Sequence, residues 1–128
     1  LGNLKNKKIT VLGLTFKPDT DDIRSSPSLD AIDLLLDKGS IVSAYDPVFK
    51  NQTETSILPK NCNHCMTMEE SLDGSDAALV FTKWSEFESL DSKILKRSMN
   101  NPVIIDGRGF LDAKKFDNGT YFKIGYSE

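Results

Sequence analysis

Two cysteines and a single histidine occur among 128 residues, and that scarcity closes off several kinds of chemistry. Serine-nucleophile catalysis needs a base beside the hydroxyl. Only His64 is there to supply one, and no strand-to-helix nucleophile elbow surrounds any serine. A structural zinc takes four nitrogen or sulfur ligands. The run Cys62-Asn63-His64-Cys65 supplies three at most, and no second Cys/His pair completes the set. A thioredoxin-type pair opens a helix directly after a strand of a βαβ unit, whereas these cysteines follow a polar, Asn-rich stretch. Both are read as reduced structural thiols, and no metal is assigned.

An excess of positive charge is missing too. Sixteen Lys and Arg stand against 19 Asp and Glu, for a net charge of −3, with no dense basic run to neutralise phosphates, so nucleic acid is not an expected partner. No apolar run approaches the roughly 18 to 20 residues that span a bilayer. The first residues, LGNLKNKK, contain no hydrophobic signal core. These absences predict a cytoplasmic protein with no membrane partner.

Apolar mass is present. Hydrophobic residues make up 38% of the chain, enough at this size for one buried core, and no low-complexity linker or internal repeat divides residues 1–128. Lys8 to Leu14 reads as a strand buried on both faces and breaks at Gly13. Ser26-Pro27 marks a helix start, with Ser as N-cap and Pro at the first helical position. Leu29, Ile32, Leu35 and Leu36 recur at helical spacing opposite Asp30, Asp33 and Asp37, and Gly39 is placed to end the helix in a left-handed conformation. Ile41 to Tyr45 is a second strand, stopped by Asp46-Pro47. Strand, helix, strand is the βαβ signature, which makes the two strands parallel.

The pattern repeats after a polar insertion at residues 51–56. A weak strand near His64 to Met66 leads into Thr67-Met68-Glu69-Glu70, a capping box that opens a short helix to Leu72. Ala77 to Phe81 is a third buried run, Phe87 to Met99 carries Leu90, Ile94, Leu95 and Arg97 in a helical pattern, and Val103 to Ile105 enters Asp106-Gly107-Arg108. After a poorly defined stretch from Phe110 to Phe116, Tyr121 to Ile124 completes six strands. The expected fold is α/β: a doubly wound, mainly parallel six-stranded sheet in the Rossmann order.

Ligands of such sheets bind outside the carboxyl ends of the strands, near the point where strand order reverses. The loop after the first strand carries Lys17 and Arg24, the loop after the fourth carries Lys83, and the loop after the fifth carries Arg108. These cations can converge on a phosphate or carboxylate. A self-sufficient dinucleotide site shows G-x-G-x-x-G after the first strand, but here Gly13 is followed by Leu14, Thr15 and Phe16. The fold is therefore expected to be Rossmann-like without the dinucleotide glycine loop. Asp46 ends the second strand where an NAD-binding domain places its ribose-binding acid. With Pro47 behind it, a turn-forming role takes precedence, and Asp46 is not assigned to NAD. The acids of Asp19-Thr20-Asp21-Asp22 lie too far beyond the strand end for metal-assisted phosphotransfer and read as a surface loop.

At these loops the sequence becomes specific. GLTFKPDTDDIRSSPSLDAIDLLLDKG, AYDP, FTKWSEF and VIIDGRG, in that order, resemble the carboxyl-terminal UDP-binding domain of the UDP-glucose 6-dehydrogenase family, over about Leu4 to Gly125. The wider group includes GDP-mannose and UDP-N-acetylmannosamine dehydrogenases. The resemblance implies a parent enzyme with an amino-terminal NAD-binding domain and a central helix that makes a homodimer or larger assembly, both lying outside this chain. It implies oxidation of UDP-glucose to UDP-glucuronate, a precursor in polysaccharide biosynthesis, by two hydride transfers to NAD through a thiohemiacetal and thioester on an upstream cysteine. Neither Cys62 nor Cys65 stands in the context of that nucleophile, so this chain is assigned no catalytic residue. By the resemblance, Phe16 and Lys17 contact the UDP-sugar substrate, Arg108 holds it, and Arg24 reaches across a domain cleft to the NAD pyrophosphate. Trp84 reads as the cap of a core or domain seam. Ser25 and Lys83 depart from the family pattern, where Glu is usual. The alternatives are a dehydrogenase for another nucleotide sugar, UDP-N-acetylmannosamine or GDP-mannose, and a stand-alone nucleotide-binding module without catalysis.

Overall fold

The computed structural model describes residues 5–13, 27–46, 61–82, 84–107, 109, 111–117 and 119–123. Six parallel strands form one sheet: β1 (Lys8–Leu12), β2 (Ile41–Tyr45), β3 (Cys62–His64), β4 (Ala77–Val80), β5 (Ile104–Asp106) and β6 (Tyr121–Lys123). Their order is β3-β2-β1-β4-β5-β6, the Rossmann order expected from the alternating pattern. Register is set from the centre outward: Ile9 of β1 pairs with Val42 on one side and Ala77 on the other, and Leu12 pairs with Tyr45 and Val80. Parallel pairing brings all the carboxyl ends to one edge.

Each face of the sheet buries its own core because strand side chains alternate. Ile9, Val11, Val42 and Ala44 pack with Ile32 and Leu35 of α1 (Pro27–Asp37). On the other face, Leu12, Tyr45 and Val80 meet Leu72 of α2 (Met68–Leu72) and Leu95 of α3 (Ser92–Ser98), with Phe87 beneath them. Phe87 is fully buried, which contributes roughly 1.5–3 kcal/mol relative to exposure. Thr10, a polar strand residue buried on this face, is satisfied there by the Ser71 carbonyl and the Ser75 hydroxyl. At the amino edge, Asp76 accepts the Lys8 N–H at 3.0 Å and the Asn100 amide at 2.9 Å, which ties the start of β1 to the chain leaving α3.

Several boundaries differ from the sequence expectations. β1 ends at Leu12, and Gly13 leaves it with φ +97. The third strand lies at Cys62–His64, ahead of its expected place, because Val42, Ser43 and Ala44 pair with Cys62, Asn63 and His64. β4 stops at Val80 rather than Phe81, and β5 runs one residue later than expected. The single helix expected from Phe87 to Met99 is two pieces: a 3₁₀ turn at Ser85–Ser89 and then α3. Leu90 is extended between them, at φ −69 and ψ 141, and Asp91 caps α3 by accepting the Ile94 N–H at 2.9 Å. That cap starts a new helix instead of continuing the old one. The capping box at α2 is observed: the Thr67 hydroxyl accepts the Glu70 N–H at 3.0 Å. The Glu70 carboxylate turns back to the Met66 N–H at 2.9 Å, one residue before the cap. The stretch from Phe110 to Phe116 holds a short 3₁₀ turn, Ala113–Lys115, capped by Asp112. The expected cap Ser26 and the end of the sixth strand at Ile124 lie outside the described residues.

Candidate functional site at the carboxyl edge of the sheet

Strand order reverses between β1 and β4, so the crevice rule places a ligand at their carboxyl ends. The ladder continues past the strands here: Gly13 N–H donates to the Tyr45 carbonyl at 2.8 Å, Phe81 N–H to Leu12 at 2.9 Å, and Gly107 N–H to Val80 at 2.8 Å. Gly13 lies against Thr82 so closely that an added Cβ would stand 2.7 Å from the Thr82 Cβ and 2.9 Å from its backbone nitrogen. Together with the left-handed φ, this contact leaves glycine as the residue that fits.

Asp46, which leaves β2, is wholly buried and accepts the indole N–H of Trp84 at 3.1 Å. The turn that the sequence assigned to Asp46-Pro47 runs outside the described residues; within them Asp46 braces the exits of β2 and β4. Trp84 itself belongs to the core with Phe87, as a core cap should. Beside it the Tyr45 hydroxyl donates to both carboxylate oxygens of Glu86, at 2.7 and 3.0 Å. Burial, reinforced by that carboxylate, pushes the Tyr45 phenol above its ordinary range, so it remains a donor.

At the end of β5, Asp106 is likewise wholly buried. Its Oδ1 accepts the Gly109 N–H at 2.8 Å, and its Oδ2 accepts the Leu111 N–H at 2.9 Å and the Tyr121 hydroxyl at 2.8 Å. Burial and the aspartate raise the Tyr121 phenol as well. Sequence reasoning marked this loop for Arg108 and gave Asp106 no part. The available signal was an Asp followed by Gly-x-Gly, the pattern of a side chain that accepts its own downstream amides.

Phe16, Lys17, Arg24, Lys83 and Arg108, the residues that the sequence singled out, lie outside the described residues. The points where their loops leave the sheet are described: Gly13, Thr82 and Gly107 follow neighbouring strands. Cys62 and Cys65 sit toward the β3 edge instead, both free and buried. Burial pushes the Cys62 thiol up to about 12 and raises Cys65 too, the latter with help from Glu70 and against Lys8 and a Ser43 hydrogen bond. Neither is an activated nucleophile. Among the described residues no group of three His, Cys, Asp or Glu side chains could hold a metal ion, and no helix is long and apolar enough to cross a membrane.

Comparison with known proteins identifies this architecture. Residues 10–113 match the model of the UDP-glucose/GDP-mannose dehydrogenase family, UDP binding domain. A UDP-glucose 6-dehydrogenase of Rickettsia bellii is 38% identical over 125 residues, which cover 96% of this chain and 29% of that protein. One from Bacillus subtilis is 35% identical over 121 residues, covering 94% of this chain and 26% of the relative. Among solved structures, a UDP-glucose dehydrogenase from Pyrobaculum islandicum superposes with a TM-score of 0.77 at 29% identity, over 94% of this chain and 26% of that one. A UDP-D-ManNAc dehydrogenase from Pyrococcus horikoshii gives 0.74 at 27% identity, over 95% and 26%. The chain thus spans less than a third of the length of each relative.

Proposed function

The chain belongs to the UDP-glucose/GDP-mannose dehydrogenase family, as its UDP binding domain, and from that premise we propose that it holds the nucleotide sugar in an NAD-dependent enzyme that oxidises UDP-glucose to UDP-glucuronate. The observation that carries the reading is the carboxyl edge itself. The loops bearing Lys17 and Arg24, Lys83, and Arg108 leave from three neighbouring strands, β1, β4 and β5, at the switch point of a Rossmann-ordered sheet.

In this reading the β1 and β5 loops divide the ligand. Lys17 and Phe16 contact the UDP-sugar, Lys17 as a cation for the diphosphate or for charge that develops at the reacting carbon, and Arg108 holds the same molecule by charge-assisted hydrogen bonds. This domain lacks the glycine loop that would hold NAD, since Gly13 is followed by Leu14, Thr15 and Phe16. NAD binding is assigned to a separate amino-terminal domain of the complete enzyme, with Arg24 reaching toward it across the cleft. The catalytic cysteine is assigned outside this chain, since Cys62 and Cys65 are buried and their thiols are held protonated. Two buried free thiols also suit the reducing cytoplasm. The complete enzyme is proposed to be a homodimer or larger assembly.

The complete protein, given UDP-glucose, is expected to reduce two NAD per sugar and to prefer UDP-glucose over UDP-N-acetylmannosamine and GDP-mannose. The 128-residue chain alone is expected to reduce none. Its affinity for UDP is expected to be weaker than about 1 μM, near −8 kcal/mol, because half of a shared cleft lacks its partner's contacts. Calorimetry showing tighter binding by the isolated chain would point to a stand-alone module instead.

A further inference from the structure

We propose that Asp106 is a positioning residue for the nucleotide sugar: its buried carboxylate holds the turn on which Arg108 is carried. The inference rests on the reading of Arg108 as a group that holds the sugar nucleotide. Asp106 ends β5 at the carboxyl edge, and the backbone is tied on both sides of position 108. Before it, Gly107 N–H donates to the Val80 carbonyl at 2.8 Å; after it, Gly109 N–H donates to Asp106 Oδ1 at 2.8 Å. Leu111 N–H, at 2.9 Å from Oδ2, closes the turn.

Three observations set this arrangement apart from ordinary packing. A carboxylate at a buried strand end costs desolvation that a valine would not, and the loop N–H groups that it accepts are what offset that cost. Both of its oxygens accept from the turn that follows it, and the Tyr121 hydroxyl donates to Oδ2 at 2.8 Å, which fixes the carboxylate's orientation. Gly109 has φ +66, a left-handed conformation open to glycine without steric cost, and in it the N–H turns back to the carboxylate. A turn already fixed does not have to be ordered when the ligand binds. Loosening it therefore weakens binding in the ground and transition states alike, which appears in KM and not in kcat.

The test is steady-state kinetics of the complete enzyme with UDP-glucose and NAD. In Asp106→Asn, whichever way the amide turns, one of the two loop N–H groups faces a donor. The KM for UDP-glucose is expected to rise on the order of tenfold, with kcat held within about twofold and the KM for NAD unmoved. Placed on Arg108→Ala, the same change is expected to add no further rise, because the cation it positions is gone. Ile32→Val, in the core under α1, is the control for stability alone and is expected to lower Tm without moving KM. If Asp106→Asn behaves like Ile32→Val, the positioning role is overturned while Arg108 keeps its own. If Arg108→Ala leaves the KM for UDP-glucose unchanged, the binding role of Arg108 falls and the positioning role falls with it. Should Asp106→Asn fail to fold, Tyr121→Phe, which frees the carboxylate to swing while leaving both loop bonds possible, decides the matter. A KM rise of about twofold supports the inference, and an unmoved KM overturns it.

Discussion

Trp84 donates its indole N–H to Asp46, and one residue back along β2 the Tyr45 hydroxyl donates to Glu86. Two consecutive residues leaving β2 thus hold two residues that follow β4, with β1 lying between those strands. The pair is a strap across the carboxyl end of β1. Its two bonds differ in burial, and that decides their worth: the Asp46 end is buried, whereas Glu86 is exposed and water can replace what it loses. Trp84→Phe is expected to cost about 1–3 kcal/mol and Tyr45→Phe under about 1 kcal/mol, measured by urea unfolding. Equal losses would show that the buried end has no special weight.

Gly13 faces two penalties at once if a side chain is added. Its φ of +97 is unfavourable to any L residue, and the new Cβ meets Thr82 at 2.7 Å. Gly13→Ala is expected to destabilise the chain by roughly 2–4 kcal/mol. Trimming the neighbour in Thr82→Ser does not relieve it, because the Thr82 Cβ and backbone nitrogen are themselves among the near atoms. Recovery of stability in the double mutant would refute this account of the contact.

The thiols predict how stability depends on alkali. Cys62 and Cys65 titrate above the ordinary thiol range of about 8.5 when folded, so above that pH the unfolded chain releases protons that the folded chain keeps. Their stabilising effect is complete below about pH 8.5 and is lost as pH rises from there, by up to about 1.4 kcal/mol per pH unit for each thiol. Between about pH 8.5 and 10, before tyrosines join with the same sign, Cys62→Ala/Cys65→Ala is expected to flatten the decline. Iodoacetamide should label neither cysteine in the folded chain and both in urea. Rapid labelling of the native protein would contradict their burial.

Kinetics of the complete enzyme separate the loop cations. Arg108→Ala is expected to raise the KM for the UDP-sugar and Arg24→Ala the KM for NAD, each by roughly 2–5 kcal/mol where a charged partner is left buried. Lys17→Ala is expected to lower kcat as well, if its ammonium meets charge that grows in the transition state. An Arg24→Ala enzyme with unchanged NAD dependence and weakened sugar binding would put Arg24 on the other side of the cleft.

Elements whose signal is local were readable from the sequence. The apolar run of β1, the helical spacing of Ile32 and Leu35, and Gly39 in a left-handed conformation at φ +87 all stand where their own neighbours place them. What was unreadable depends on distant partners. Leu90 and Ile94 fit one helix by spacing, but Asp91 makes a cap there and Leu90 is extended into the core. Thr10 looks like a flaw in a buried strand until Ser71 and Ser75 meet it from across the chain. Asp46 just after β2 and Asp106 at the end of β5 look alike in sequence, and only the fold shows that one braces Trp84 while the other holds a turn. The candidate ligand cations were legible as charges at loop positions, and their side chains fall outside the described residues.

The strand order also bears on how the chain reaches its folded state. β1 is the central strand, yet its neighbour β4 lies far along the chain: the Lys8 amide bonded to Asp76 spans 68 positions of sequence. During synthesis β1 emerges ahead of β4 and can pair with β2, but its other edge, with Ile9, Val11 and Leu12, stays open until residues 77–80 have been made. Closing that separation carries a loop entropy that slows folding, and in the meantime an apolar strand edge is exposed to other chains. A nascent or truncated product ending between β2 and β4 is for that reason the form of this protein most prone to aggregate, and the domain gains protection only once β4 has docked.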